Sequence, residues 1–180
     1  MPNWTSNSIR IAGVEADLRA FLEAVKSQGQ ILDFNRLIPM PELLKHSARG
    51  RRTIDGKKVS SWYVIDTGDR AHPDNDNFRC FTAKEEAALK KIGHTDWYSW
   101  AWANWGTKWN ASHAEIAEDC AAQGYVQIRF DTAWTPPIRI LEKMFQTFPK
   151  LSFVCTWENE GERQRYSIES DAVADDEQNP

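Results

Sequence analysis

Residues 125–158 read YVQIRFDTAWTPPIRILEKMFQTFPKLSFVCTWE, and three periodicities succeed one another within them. Val126, Ile128 and Phe130 alternate with Gln127, Arg129 and Asp131, the period of a half-buried strand. Ile138, Leu141, Phe145 and Phe148 then fall at i, i+3, i+7 and i+10, which share one helix face. Thr135-Pro136-Pro137 sets a capping hydroxyl ahead of prolines that suit a first helical turn, where no N–H is required. Pro149 closes the helix. Phe153, Cys155 and Trp157 alternate with Val154, Thr156 and Glu158, a second strand. The stretch reads β-α-β.

The N-terminal end repeats that order. Trp4 to Ile11 alternates as a strand ended by Gly13, and Leu18, Phe21, Leu22 and Val25 make one face of a helix over 14–28. Gly29 suits its C-terminal cap. Ile31 to Phe34 is a short apolar run that Pro39 and Pro41 keep from becoming helical, and it reads as a second strand. Two β-α-β blocks in one small chain predict a ferredoxin-like α+β sandwich, with residues 35–124 as a large mixed insertion between its halves. One domain over 1–170 is expected, with an edge strand near Tyr166 and Ile168 and an acidic, unpatterned tail over 171–180.

Within the insertion, Asp55-Gly56 marks a type I′ hairpin, followed by an aromatic and β-branched arm from Ser61 to Asp66. Residues 68–77 form a polar loop. Thr82 and Glu85 make a capping box opening a helix to Ile92, and a second helix is expected over 97–105 with Gly106 as its stop.

Composition narrows the function classes. The 180 residues hold 22 Lys and Arg against 26 Asp and Glu, a net charge of −4 that excludes wholesale phosphate neutralisation yet is too mild for a nucleic-acid mimic. Cys80, Cys120 and Cys155 are odd in number and far apart, which argues against a disulfide framework or zinc ribbon and for reduced thiols. No apolar run approaches the roughly 20 residues of a membrane span, and MPNWTSNSIR lacks a signal-sequence core. A cytoplasmic location without membrane contact is expected.

Four stretches stand out in order: MPNW at the start, LDFNRLIPMPE at 32–42, WGTKWNA at 105–111 and FDTAWTPP at 130–137. Together they resemble the YubB-like family of phage and plasmid proteins over most of residues 1–157. The family's last motif more often reads AWSPP; Thr135 stands here, and either residue caps a helix. The resemblance implies a ferredoxin-like domain, a mobile-element origin and no established function, and it transfers no catalytic residue.

Two surfaces are candidates for contact. Five of nine tryptophans lie between 97 and 109, and their angular spread exceeds one buried stripe. Trp97, Trp100, Trp105 and Trp109, with Trp62, are therefore candidate partner-binding residues, although a helix plugging a core explains them as well. Lys45, Arg49, Arg51, Arg52, Lys57 and Lys58, against Asp55 alone, form a basic segment suited to a phosphate backbone or an acidic protein patch. A solvated hairpin is the plain alternative. His46, His72, His94 and His113 show no metal or catalytic spacing, and no phosphate loop or nucleophile elbow is present. Asp66, Asp69, His72, Asp74 and Asp76 lack calcium-loop spacing and read as a solvated turn. Asp131 is expected to bond backbone N–H groups at the strand–helix corner.

No catalytic residue, metal or cofactor is assigned. The expected function is a non-enzymatic interaction module that contacts a host or element-encoded protein, one specific form being antagonism of a host defence system. The rival is a nucleic-acid-binding accessory protein that uses the 45–58 hairpin. An enzyme of unrecognised type comes third.

Overall fold

The computed structural model describes residues 3–65, 78–159 and 161–168. In chain order these form β1 (Trp4–Ala12), α1 (Glu15–Val25), α2 (Glu42–Lys45), β2 (Ser47–Ile54), β3 (Lys57–Val64) and β4 (Phe78–Arg79). There follow α3 (Ala83–Ile92), α4 (Trp97–Trp105), β5 (Ser112–Cys120), β6 (Tyr125–Ala133), α5 (Ile138–Thr147), β7 (Ser152–Asn159) and β8 (Glu162–Ile168). The chain divides into two compact units, Met1–Pro39 with Asn104–Pro180, and Met40–Ala103.

The first unit is a five-stranded sheet in the order β5-β6-β1-β7-β8, with every neighbouring pair antiparallel. Hence β5 runs parallel to β1 with β6 between them, and β7 runs parallel to β6 with β1 between them. Two split β-α-β units interleaved in this way are the ferredoxin-like α+β fold. Alternation fills one face with Ile9, Ile11, Val126, Ile128, Phe130, Phe153 and Cys155, all buried. Against it sit Leu18, Phe21 and Val25 of α1 and Ile140, Leu141 and Met144 of α5. Phe21 meets Phe148 and Phe153 edge-on, at 5.2 and 5.6 Å between ring centroids. The other face is polar: the Arg10 guanidinium lies 3.6 Å over the Tyr125 ring, and Gln127 Nε2 donates to Ser8 Oγ at 2.7 Å.

The structure corrects three expectations of local structure here. Residues 31–34 are not a strand; the chain makes a one-residue bridge, Ser27 to Gln30, and a 3-10 turn over Phe34–Arg36. Leu32 and Phe34 are fully buried all the same, so their apolar character reports the core and not a strand. The second strand of the fold is β5, inside the stretch assigned to the insertion, so the excursion from the sheet ends before Ser112 and not at 124. Thr135 does not cap α5 either; Pro137 precedes its first turn, and the Thr135 hydroxyl donates to the Gly106 carbonyl at 2.7 Å. The acidic tail lies outside the described residues, as do the loop over 68–77 and its aspartates.

The second unit follows the sequence more closely. Asp55 and Gly56 turn at φ 50° and 74°, as a type I′ hairpin requires, and join β2 to β3. A bulge between Arg49 and Arg52 contains Gly50, where a Cβ would come within 2.7 Å of the Trp62 ring. β4 pairs with β3 at Tyr63 and Val64. The capping box is present: Glu85 N–H donates to Thr82 Oγ1 at 3.3 Å and Thr82 N–H to Glu85 Oε2 at 2.8 Å. Arg79 grips the same carboxylate with two bonds of 2.7 Å.

That grip has a pH signature. The Arg79 bonds, helped by the Thr82 donors and opposed by partial burial, bring the Glu85 carboxyl down to about 2. A carboxyl lowered on folding stabilises the native state above its unfolded pKa, near 4.5, and loses that contribution as pH falls towards 2. Glu85→Gln is expected to lower the melting temperature at pH 7 and to flatten its fall between pH 4.5 and 2. An unchanged acid limb would show that Arg79 does not hold the carboxylate in solution.

Candidate functional site

The clustered tryptophans do not make one surface. Trp62 is buried in the second unit, edge-on to Phe78 at 5.9 Å, and Trp100 is buried as well. Trp105 is buried in the first unit, where its Nε1 donates to the Ile38 carbonyl at 2.9 Å and its ring meets Phe34 at 5.9 Å. These three cannot meet a partner while the chain is folded. Trp97 is half-buried, its N–H donating to Ser47 Oγ at 2.8 Å. Trp109 is half-buried beside Trp4, and Lys108 Nζ lies 4.4 Å over its ring.

The motifs quoted from the sequence instead converge in the first unit. Asn110 of WGTKWNA reaches back to LDFN: its Oδ1 accepts from Phe34 N–H at 2.8 Å, and its Nδ2 donates to Asp33 Oδ1 at 2.7 Å. Thr107 Oγ1 donates to the Ala133 carbonyl at 2.8 Å, and Thr135 Oγ1 returns a bond to Gly106. In the MPNW segment, Asn3 accepts from Trp134 N–H at 2.9 Å, and Trp4 pairs with Ala133. Side-chain bonds thereby tie segments up to 77 positions apart, and backbone bonds join the MPNW segment to the end of β6, about a hundred and thirty positions away.

One end of the sheet emerges from this convergence as an open aromatic surface. Trp4 and Trp134 are the exposed indoles, at 39% and 44%, although both fall in predicted core elements or their corners. Trp134 holds φ 75°, a left-handed conformation that bulky side chains avoid, fixed through its N–H to Asn3 and its carbonyl to Asn159 Nδ2 at 3.1 Å. His113, where β5 begins, holds φ 51° and is also exposed. Its ring stands 6.0 Å from Trp4, and its Nδ1 lies 3.1 Å from Asp131 Oδ2. Asp131 also accepts from Ser6 Oγ at 3.1 Å, so it serves side chains and not the backbone N–H groups expected of it. Beneath them Asn7 is buried, donating to Thr5, Phe130 and Thr132. Nothing in the sequence marks His113 or Trp134 as left-handed. The nearest signal is that Trp134 sits inside a quoted motif, just before its prolines.

The basic segment separates into held and free cations. Lys45 pairs with Glu42 at 2.7 Å, and the Arg52 guanidinium lies 4.1 Å over the Phe78 ring. Arg49, Arg51, Lys57 and Lys58 are exposed and have no acidic partner among the described residues. The overall charge hides a split between the two units: residues 40–103 carry eleven Lys and Arg against nine Asp and Glu, the remainder eleven against 17. Among the described residues no cluster of three His, Cys, Asp or Glu could hold a metal ion, and no helix is long and apolar enough to cross a membrane. The three cysteines are free, and burial pushes the Cys155 thiol up to about 12.

Residues 104–176 match a family model described as the ferredoxin-like domain in Api92-like protein. The match begins at Asn104, where the chain re-enters the first unit, and carries β5 to β8. It supports a ferredoxin-like family of unknown function. No curated protein and no solved structure matches the chain.

Proposed function

We propose that this chain is a non-enzymatic protein-interaction module, encoded by a mobile genetic element and acting in the cytoplasm, with the aromatic end of its sheet as the contact surface. The observation that carries this reading is Trp134, an exposed indole held in a left-handed conformation and bound through its N–H to Asn3, the residue before exposed Trp4, whose ring stands 6.0 Å from that of exposed His113. Such a conformation costs on the order of 1 kcal/mol for a residue with a side chain, and glycine would avoid the cost. Indoles are the side chains most enriched at binding hot spots, because each brings a large rigid face and one donor. The mobile-element origin rests on the four motifs that resemble the YubB-like family, and the cytoplasmic location on the free, widely spaced thiols. A host protein is then the natural partner, and covering a defence protein is one way such a module would act.

A second reading has its own support. Arg49, Arg51, Lys57 and Lys58 project from a unit that is net positive within an acidic chain, as a nucleic-acid contact would need.

The two readings separate experimentally. Trp4→Ala/Trp134→Gly removes both indoles without emptying the core. This variant is expected to melt within a few degrees of the parent and to lose whatever partner the parent retains from host lysate. Equal retention by both proteins, or none by the parent in repeated trials, would remove the aromatic end from the account. For the second reading, a DNA duplex is expected to shift at low salt with a log–log salt slope of roughly −3 to −4, from four phosphate contacts. Arg49→Gln/Arg51→Gln would flatten that slope by about two. Absence of any shift at low salt excludes it.

A further inference from the structure

The second unit holds a groove of about 520 Å³ between β3 and α3. Its strand wall is Lys58, Val59, Ser60 and Ser61, four consecutive residues. Side chains alternate across a strand, so a groove on a sheet face touches every second residue; one that touches four in a row runs along the strand's edge. The helix wall is Glu86, Leu89, Lys90 and Gly93, at i, i+3, i+4 and i+7, a single helix stripe. The pairing pattern agrees. β2 occupies one edge of β3 along its length, whereas β4 reaches the other edge only at Tyr63 and Val64. From Lys57 to Trp62 that second edge has no strand partner among the described residues. The groove is bounded beyond the helix by His94 and Thr95, with Ser61 Oγ donating to Thr95 Oγ1 at 3.3 Å.

We propose that this groove receives an extended acidic peptide segment of a partner protein, added as a further strand on the open edge of β3. An unpaired edge offers backbone N–H and C=O groups at strand spacing, which an extended polypeptide satisfies and a nucleic-acid backbone does not. Val59, Phe81 and Leu89 supply an apolar floor for alternate side chains. Charge selects the sequence. Lys58 and Lys90 flank the groove against one acid, Glu86, and Lys58, Val59 and Ser60 also line the adjoining hollow that contains Arg51 and Arg52. A second copy of this chain would add its own Lys57 and Lys58 to a groove already walled by Lys58 and Lys90, so an acidic strand is favoured over self-pairing. The inference goes beyond the aromatic surface and stands without it.

The test uses the full chain and a fluorescein-labelled octapeptide of alternating Glu and Val, read by anisotropy. Binding is expected, together with slowed amide exchange between Lys57 and Trp62. Methylating alternate backbone nitrogens of the peptide, in the register that faces the strand, is expected to weaken binding at least tenfold, because it removes donors and no charge. Lys58→Glu/Lys90→Glu, checked to melt as the parent does, is expected to weaken it by a similar factor. Four results would overturn the proposal: no binding at millimolar peptide, equal binding of both methylated registers, an unchanged exchange rate along β3, or full displacement by a thymidine oligonucleotide at matched charge. Lysate capture through the aromatic end is scored separately with Trp4→Ala/Trp134→Gly, so either reading can fail alone.

Discussion

The Asn110 side chain closes the sheet. The chain leaves the first unit after α1 and 3-10 turn residues Phe34–Arg36, builds a second compact unit, and returns to lay down the second strand of the fold. Departing and returning segments must therefore be fixed to each other before β5 can sit beside β6. Asn110 does this with bonds in both directions, accepting from Phe34 and Ala111 N–H and donating to Asp33 and Gln30. Trp105 adds an apolar ring on Phe34 and a bond to Ile38, and Thr107 secures the path to the end of β6. An amide that both donates and accepts is the side chain for such a junction; a carboxylate would repel Asp33 and a hydrocarbon would leave the N–H groups unpaired.

From this closure the aromatic end follows. With β5 held, His113, the second residue of that strand, stands beside Trp4, and the bond from Trp134 to Asn3 anchors the start of β1 to the end of β6. The same residues that complete the fold leave two indoles in solvent. Both proposed contact surfaces lie at the margins of their units, at the sheet end in the first and at an open strand edge in the second. The centres of both are ordinary hydrophobic core.

How far the sequence was legible depended on whether burial left a period. The strands flanking α5 are half-buried, so Val126, Ile128 and Phe130 print the pattern directly; in α5 the buried stripe is Ile140, Leu141 and Met144, so of the face read from the sequence only Leu141 is buried, while Ile138, Phe145 and Phe148 are half-buried. The hairpin and the Thr82 box were legible because turn and cap chemistry is local. β5 was not. It lies at the sheet margin, carries Glu115, Glu118 and Asp119, and contains two register shifts, so it has neither an apolar face nor a constant alternation. The run 31–34 misled for the converse reason: Leu32 and Phe34 are buried without being paired. The tryptophans were misplaced because indoles all round a short helix give no stripe to orient. The exposed ones are set by a backbone angle at 134 and a strand start at 4.

The most direct measurement is the equilibrium unfolding of Asn110→Ala, followed by amide exchange along β5 and β6. Loss of the amide leaves Phe34 and Ala111 N–H groups without their acceptor, at about 1–3 kcal/mol for each group that stays buried. The expected result is a loss of roughly 2–4 kcal/mol with exchange accelerated first in β5. Stability within about 0.5 kcal/mol of the parent, a change typical of an unremarkable surface site, with β5 exchange unaltered would contradict the claim that this side chain closes the sheet.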